Sequence, residues 1–173
     1  LDAIGAEKAG IFRAQRPAVL GTAQMPASVY AAIERLGAQA VIAERQFSWE
    51  LDPKTDPPGW SYRGLQGEVA GLPAPRLAGA IQYRNAATAL AAVESLVRVA
   101  GADLRWPPLT RDVIASALAK VVVTGRFQIL PGEVEWILDV SHNEPAAQVL
   151  KANLAARPVR GRTLAVCGIL QDK

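Results

Sequence analysis

The sequence predicts an α/β fold, and three observations predict it. Residues 18–43 read strand, helix, strand; residues 134–156 read as an apolar strand followed by a helix; an alanine-rich helical stretch lies between them. A strand, helix, strand order over about 25 residues is the pattern of a βαβ unit with a parallel sheet.

In chain order, Ala3 to Phe12 reads as a short helix leading into Arg13-Ala14-Gln15-Arg16-Pro17, and Ala18 to Gly21 is a short apolar run ended by glycine. After Met25-Pro26, the positions Val29, Ile33 and Leu36 recur at helical spacing and stop at Gly37, a favoured helix end. Ala40 to Ala43 then reads as a second buried strand. Between Gln46 and Arg76 the character changes. Phe47, Trp49 and Leu51 alternate with polar residues, the run from Asp52 to Gly59 breaks the pattern, and Trp60, Tyr62 and Gly64 to Val69 supply returning antiparallel strands.

Gln82 to Ala100 predicts a helix with Ala86, Leu90, Val93 and Val97 on its apolar face, ending at Gly101. Thr110 is placed to cap a second helix, Arg111 to Val121, whose apolar face carries Ile114, Ala117 and Leu118. Val134 to Val140 and Thr163 to Leu170 are apolar, β-branched runs on either side of a helix-like stretch, Glu144 to Ala156, a second βαβ pattern. A domain boundary is therefore expected near Phe127 to Gly132, dividing the chain into 1–128 and 129–173.

Composition narrows the function classes. At 173 residues and 50% hydrophobic, the chain can bury a core, and 20% charged residues with 14 glycines and 12 prolines suggest neither disorder nor a fibrous repeat. The net charge of +3 comes from 19 basic and 16 acidic residues scattered without a basic run, so no nucleic-acid partner is expected. No apolar stretch approaches the roughly 18 residues of a membrane span, so no membrane partner is expected either. One cysteine, Cys167, forms no intrachain disulfide, in keeping with a cytoplasmic location. Leu1 in place of Met, and an end at Asp172-Lys173 just after a strand-like run, read as cuts through a longer polypeptide.

Four places carry groups suited to chemistry. Lys8, in Glu7-Lys8-Ala9-Gly10-Ile11-Phe12, reads on its own as a solvated lysine; a lysine in a protected pocket can also form a carbamate, an oxygen donor suited to magnesium. Asn85, near the start of the long helix, either caps it or presents an amide to an adenine edge or a phosphate. Arg126, between Gly125 and Phe127, is either a surface arginine or a bidentate phosphate partner. Leu138-Asp139-Val140-Ser141-His142-Asn143 delivers polar groups to the carboxyl end of a strand, the edge where open α/β sheets bind ligands. There Asp139 can accept from ribose hydroxyls, with the single histidine, His142, close by. Alternatively Ser141 or Asn143 caps the next helix and His142 is merely exposed. The chain contains no GxxxxGK[ST] loop, no GxGxxG and no paired-cysteine metal motif.

Taken in order, Ile4 to Arg13, Asn85-Ala86-Ala87-Thr88-Ala89-Leu90, Gly125-Arg126-Phe127-Gln128, Leu138 to Asn143 and Leu164 to Lys173 resemble the motif series of bacterial bifunctional dihydrofolate synthase/folylpolyglutamate synthases, members of the Mur ligase superfamily. The resemblance implies the end of a P-loop-type ATPase domain followed by the first βαβ unit of a Rossmann-like C-terminal domain, with ATP lying between the two domains. It implies an ATP-dependent ligase, monomeric, using ATP and Mg2+ to join L-glutamate to dihydropteroate and folates through an acyl phosphate. Residue by residue, Lys8 matches the family's carbamylated lysine that helps organise the magnesium. Asn85, Arg126 and Asp139 match its ATP contacts, and Arg126, with Lys8, also belongs to the catalytic set. His142 matches the histidine of its Asp-x-x-His-Asn turn, which the resemblance places with the ATP-binding residues. Asp172-Lys173 resembles the start of a DKD loop. The remaining metal ligands, the P-loop and the pterin site are expected upstream of Leu1, which leaves this chain by itself inactive. Ser141, Glu144 and Thr124 depart from the small residue, proline and proline common at those positions. A Mur-type peptidoglycan ligase and a non-catalytic nucleotide-binding module are the alternatives; Gly125-Arg126-Phe127 followed by LDVSHN favours the folate enzyme over the former.

Overall fold

The computed structural model describes residues 1–101, 106–157, 159 and 161–168. The chain divides into two compact units, Leu1–Ala74 with Tyr83–Ala119, and Pro75–Gln82 with Lys120–Lys173.

The first unit opens with helix α1 (Asp2–Ala9), strand β1 (Pro17–Leu20), helix α2 (Ala27–Leu36) and strand β2 (Gln39–Ile42). β1 and β2 pair in parallel, with Ala18 opposite Ala40 and Leu20 opposite Ile42, so the expected βαβ unit is present. Its crossover ends as the sequence suggests. Gly37 takes a left-handed φ of 57°, which costs glycine nothing, and the Ala38 N–H reaches back to the Ile33 carbonyl at 2.9 Å. Val29 and Ile33 then fall on the face that packs with Ala18, Leu20 and Ile42.

Strands β3 (Ser48–Asp52), β4 (Gly59–Gly64) and β5 (Gly67–Leu72) form the expected antiparallel meander. Its inner face meets helices α3 (Ile81–Ala100) and α4 (Arg111–Lys120) in a core that includes Phe47, Trp60, Tyr62, Leu72, Tyr83, Ala87, Ala91 and Ile114. Trp60 packs edge-on to Tyr83, with ring centroids 6.0 Å apart. Each ring's polar tip is satisfied, Trp60 Nε1 donating to the Pro73 carbonyl at 2.8 Å and the Tyr83 hydroxyl to that of Pro58 at 2.7 Å.

The apolar face expected for α3 is corrected by one position. Tyr83, Ala87, Ala91, Glu94 and Ser95 are buried, whereas Ala86, Leu90, Val93 and Val97 are half-buried. Two alanines at the contact bring the helix backbone close to the sheet, and packing rather than hydrophobicity alone selects that stripe. Thr110 caps α4 as expected, its hydroxyl accepting from the Val113 N–H at 3.4 Å.

The second unit contains strands β6 (Gln128–Leu130) and β7 (Trp136–Leu138) and helix α5 (Glu144–Ala155). β6 and β7 pair antiparallel, Gln128 opposite Leu138, a hairpin that the sequence reading did not anticipate. Of the expected second βαβ pattern only β7 and α5 are present among the described residues: residues 163–168 form no strand, and Leu164 and Val166 are 83% and 98% exposed. A strand is held by cross-strand hydrogen bonds, and among the described residues none pairs with that segment. The rest of that run and the DKD-like pair Asp172-Lys173 lie outside the described residues.

Candidate functional site

Within the first unit, Gly21 follows β1 directly, and a side chain there would fall 2.9 Å from the Thr88 hydroxyl on α3. Glycine therefore lets the carboxyl end of β1 approach the helix closely. Beside this approach lies an open groove of about 470 Å³ lined by Val19, Gly21, Thr22, Met25, Arg84, Asn85, Thr88, Ala89 and Ala92. Its size is in the range of small-molecule sites, and its mixture of apolar wall and a few polar groups is typical of them. Asn85 is exposed at its edge. The capping reading of Asn85 is corrected, because α3 begins at Ile81 and Asn85 stands in its second turn, past the N–H groups a cap serves. Thr22, Arg84 and Thr88 were not singled out from the sequence; only their proximity in space makes them part of the groove.

The second unit brings Arg126 and Asp139 together. Gly125 has φ of +71° and Phe127 of 46°, so exposed Arg126 sits on a turn flanked by two left-handed residues, both buried. Asp139 Oδ2 accepts from the Phe127 N–H at 2.8 Å; Oδ1 accepts from the Ser141 N–H at 2.8 Å and from the Ser141 hydroxyl. Burial works against the charged form of Asp139. The Ser141 hydroxyl, the Phe127 and Ser141 amides and the nearby Arg126 charge outweigh it, holding the carboxyl below its ordinary range. His142 is exposed, with Nδ1 2.9 Å from the Val140 carbonyl. Asn143 caps α5, its side chain accepting from the Ala146 N–H at 3.0 Å, one of the two capping choices open in the sequence.

Lys8 lies near the end of α1, exposed, with Nζ 2.7 Å from Glu7 Oε1. Among the described residues there is no group of three or more His, Cys, Asp or Glu that could hold a metal. No helix among the described residues is long and apolar enough to cross a membrane.

One buried carboxylate had no sequence signal. Glu94 is 3% exposed; its Oε2 accepts from the Tyr62 hydroxyl and the Leu65 N–H, both at 2.8 Å, and Oε1 from the Gln66 N–H at 3.4 Å. Gly64 lies against the same carboxylate, where a side chain would collide with it.

The fold defines an α/β protein, with polar groups gathered after β1 in the first unit and after β7 in the second. No protein-family model matches the chain. It is 36% identical over 172 residues to the dihydrofolate synthase/folylpolyglutamate synthase of Escherichia coli (strain K12), covering 99% of this chain and 37% of that protein. Its fold is similar to that of E. coli FolC in complex with DHPP and ADP, with a TM-score of 0.78 and 33% identity over 99% of this chain and 37% of that one. It is also similar to a bifunctional folylpolyglutamate synthase/dihydrofolate synthase with Mn, AMPPNP and L-glutamate bound, with a TM-score of 0.71 and 33% identity over 90% of this chain and 34% of that one. The chain is thus a relative of the dihydrofolate synthase/folylpolyglutamate synthases along 99% of its length and spans about 37% of the length of the E. coli enzyme.

Proposed function

We propose that this chain serves an ATP-dependent ligase that joins L-glutamate to dihydropteroate and to folates. The observation that supports this reading most is the similarity along 99% of the chain to E. coli FolC in complex with DHPP and ADP. In this reading the carboxylate of the pterin substrate is phosphorylated by ATP, and the glutamate amine attacks the acyl phosphate, releasing phosphate. Asn85 offers an amide donor and acceptor at the groove beside β1, suited to the edge of a purine. Arg126 presents a guanidinium suited to phosphate oxygens, which gain charge as the phosphoryl group transfers. Asp139, kept ionised, can accept from ribose hydroxyls, with His142 at the same strand end. Lys8 is assigned the carbamate that supports a magnesium site completed by residues other than those described here; the metal would neutralise phosphate charge. The domain division at 128/129, with a P-loop-type ATPase domain before it and a Rossmann-like domain after, belongs to the same reading, as does action as a cytoplasmic monomer.

The test uses the complete protein. Arg126→Ala and Asn85→Ala are both at exposed positions, and each is expected to raise the KM for ATP roughly tenfold to a hundredfold, the range for losing a hydrogen bond to a charged or desolvated group. The thermal midpoint should be unchanged. Unaltered ATP kinetics in both variants would remove the residue assignments, and absence of ATP- and glutamate-dependent ligation in the wild type would remove the function.

A further inference from the structure

The turn after β7 contains a serine that the proposed chemistry does not use. Ser141 meets Asp139 twice, through its N–H at 2.8 Å and through its hydroxyl, both at Oδ1. The hydroxyl oxygen also lies 3.1 Å from the Ala146 carbonyl in the first turn of α5. A hydroxyl has one proton, and the carboxylate is the charged acceptor, so the proton goes to Asp139.

What that carboxylate holds is not a locally favoured conformation. Phe127 sits at φ 46°, a left-handed region that a non-glycine residue adopts only when its surroundings hold it there. Gly125, at φ +71°, is packed so that an added Cβ would fall 2.7 Å from Val140 Cγ1. Two bonds tie this turn to the segment after β7: the Val140 N–H to the Gly125 carbonyl, and the Phe127 N–H to Asp139 Oδ2, both 2.8 Å. A carboxylate anchored at one oxygen can swing about its terminal torsion, which is broad. Anchored at both, it becomes a fixed acceptor.

We propose that Ser141 is a positioning residue: its amide and hydroxyl hold one oxygen of Asp139 so that the other secures the Phe127 amide and keeps Arg126 on a preset turn. The consequence for activity rests on the reading of Arg126 as a nucleotide contact; the clamp itself does not. Preset geometry matters because a phosphate ligand then meets an arginine whose backbone needs no reordering on binding.

The experiment compares wild type, Ser141→Ala and Ser141→Thr in the complete protein, by amide hydrogen exchange at Phe127 and by ADP titration. Ser141→Ala is expected to speed Phe127 exchange roughly tenfold or more, the factor for a weakened bond to a charged group, while β1 and β2 amides keep their rates. Ser141→Thr, which retains the hydroxyl, is expected to stay near wild type. ADP affinity should fall by a similar factor in the alanine variant and be restored in the threonine variant. Unchanged Phe127 exchange in Ser141→Ala overturns the clamp, as does a threonine variant as fast as alanine. A loosened turn with unchanged ADP affinity overturns the positioning role. If the wild-type protein binds no ADP, the functional reading fails, and the exchange rates still decide the clamp.

Discussion

Glu94 and Asp139 are both carboxylates that the tertiary structure surrounds with donors, and they carry different consequences. Glu94 accepts from the Tyr62 hydroxyl and from two amides of the β4–β5 turn. Burial, then the hydrogen bond to Glu94 and its charge, push the Tyr62 hydroxyl far above the usual phenol range. Glu94→Ala strands buried donors and is expected to cost about 3 kcal/mol, measured by urea denaturation, while Glu94→Gln keeps one acceptor and should cost less. Equal midpoints for Glu94→Ala and wild type would show the turn to be held by other means. For Asp139, the folded-state value lies below the unfolded value of about 3.9, so its contribution to stability is present above about pH 4 and fades as pH falls through the folded value. Wild type should therefore exceed Asp139→Asn in stability at pH 7, and the gap should close below about pH 4. A gap that stays constant into acid would argue that the charge of Asp139 is immaterial. Lys8, by contrast, pairs with Glu7, one residue away, and an exposed pair of this kind adds little to stability.

At the scale of elements, what the sequence made legible follows local chemistry. α2 ends at Gly37 because a left-handed residue is needed there, and Thr110 and Asn143 stand at the starts of α4 and α5 because short polar side chains satisfy first-turn amides. The β3–β4–β5 meander was visible in alternating aromatic and polar residues. Helix α3 shows the limit: its alanine-rich sequence predicts a helix well, but several stripes are apolar enough to face the core. The one that packs contains Ala87 and Ala91, both 0% exposed. Ala87→Leu is accordingly expected to destabilise by about 1–3 kcal/mol through overpacking. Leu96→Ala, on the exposed side of the helix at 52% exposure, should change stability by less than about 0.5 kcal/mol in the same denaturation assay. Comparable losses at both positions would mean the buried stripe is misassigned.

For the molecule as a whole, the sequence contains the proposed base, ribose and phosphate contacts but no glycine-rich phosphate loop. The 173-residue chain alone is therefore expected to show no glutamate-dependent ATP hydrolysis. Turnover by the purified chain would contradict the proposed division of labour. By itself the sequence determined the α/β class, the parallel β1–α2–β2 unit, the end of α2, the start of α4 and the order of motifs that points to a glutamate-ligase family, since these depend on residues adjacent in the chain or separated by a fixed period. Only the tertiary structure decided which face of α3 is buried, that β6 returns on β7, that Glu94 receives Tyr62, and that Asp139 is engaged by Phe127 and Ser141. Those outcomes depend on groups distant in sequence meeting at hydrogen-bond range. The two carboxylates show why this matters: Glu94 lies in an alanine-rich run with no motif, and Asp139 lies in a motif that names its residues without revealing which donors hold it.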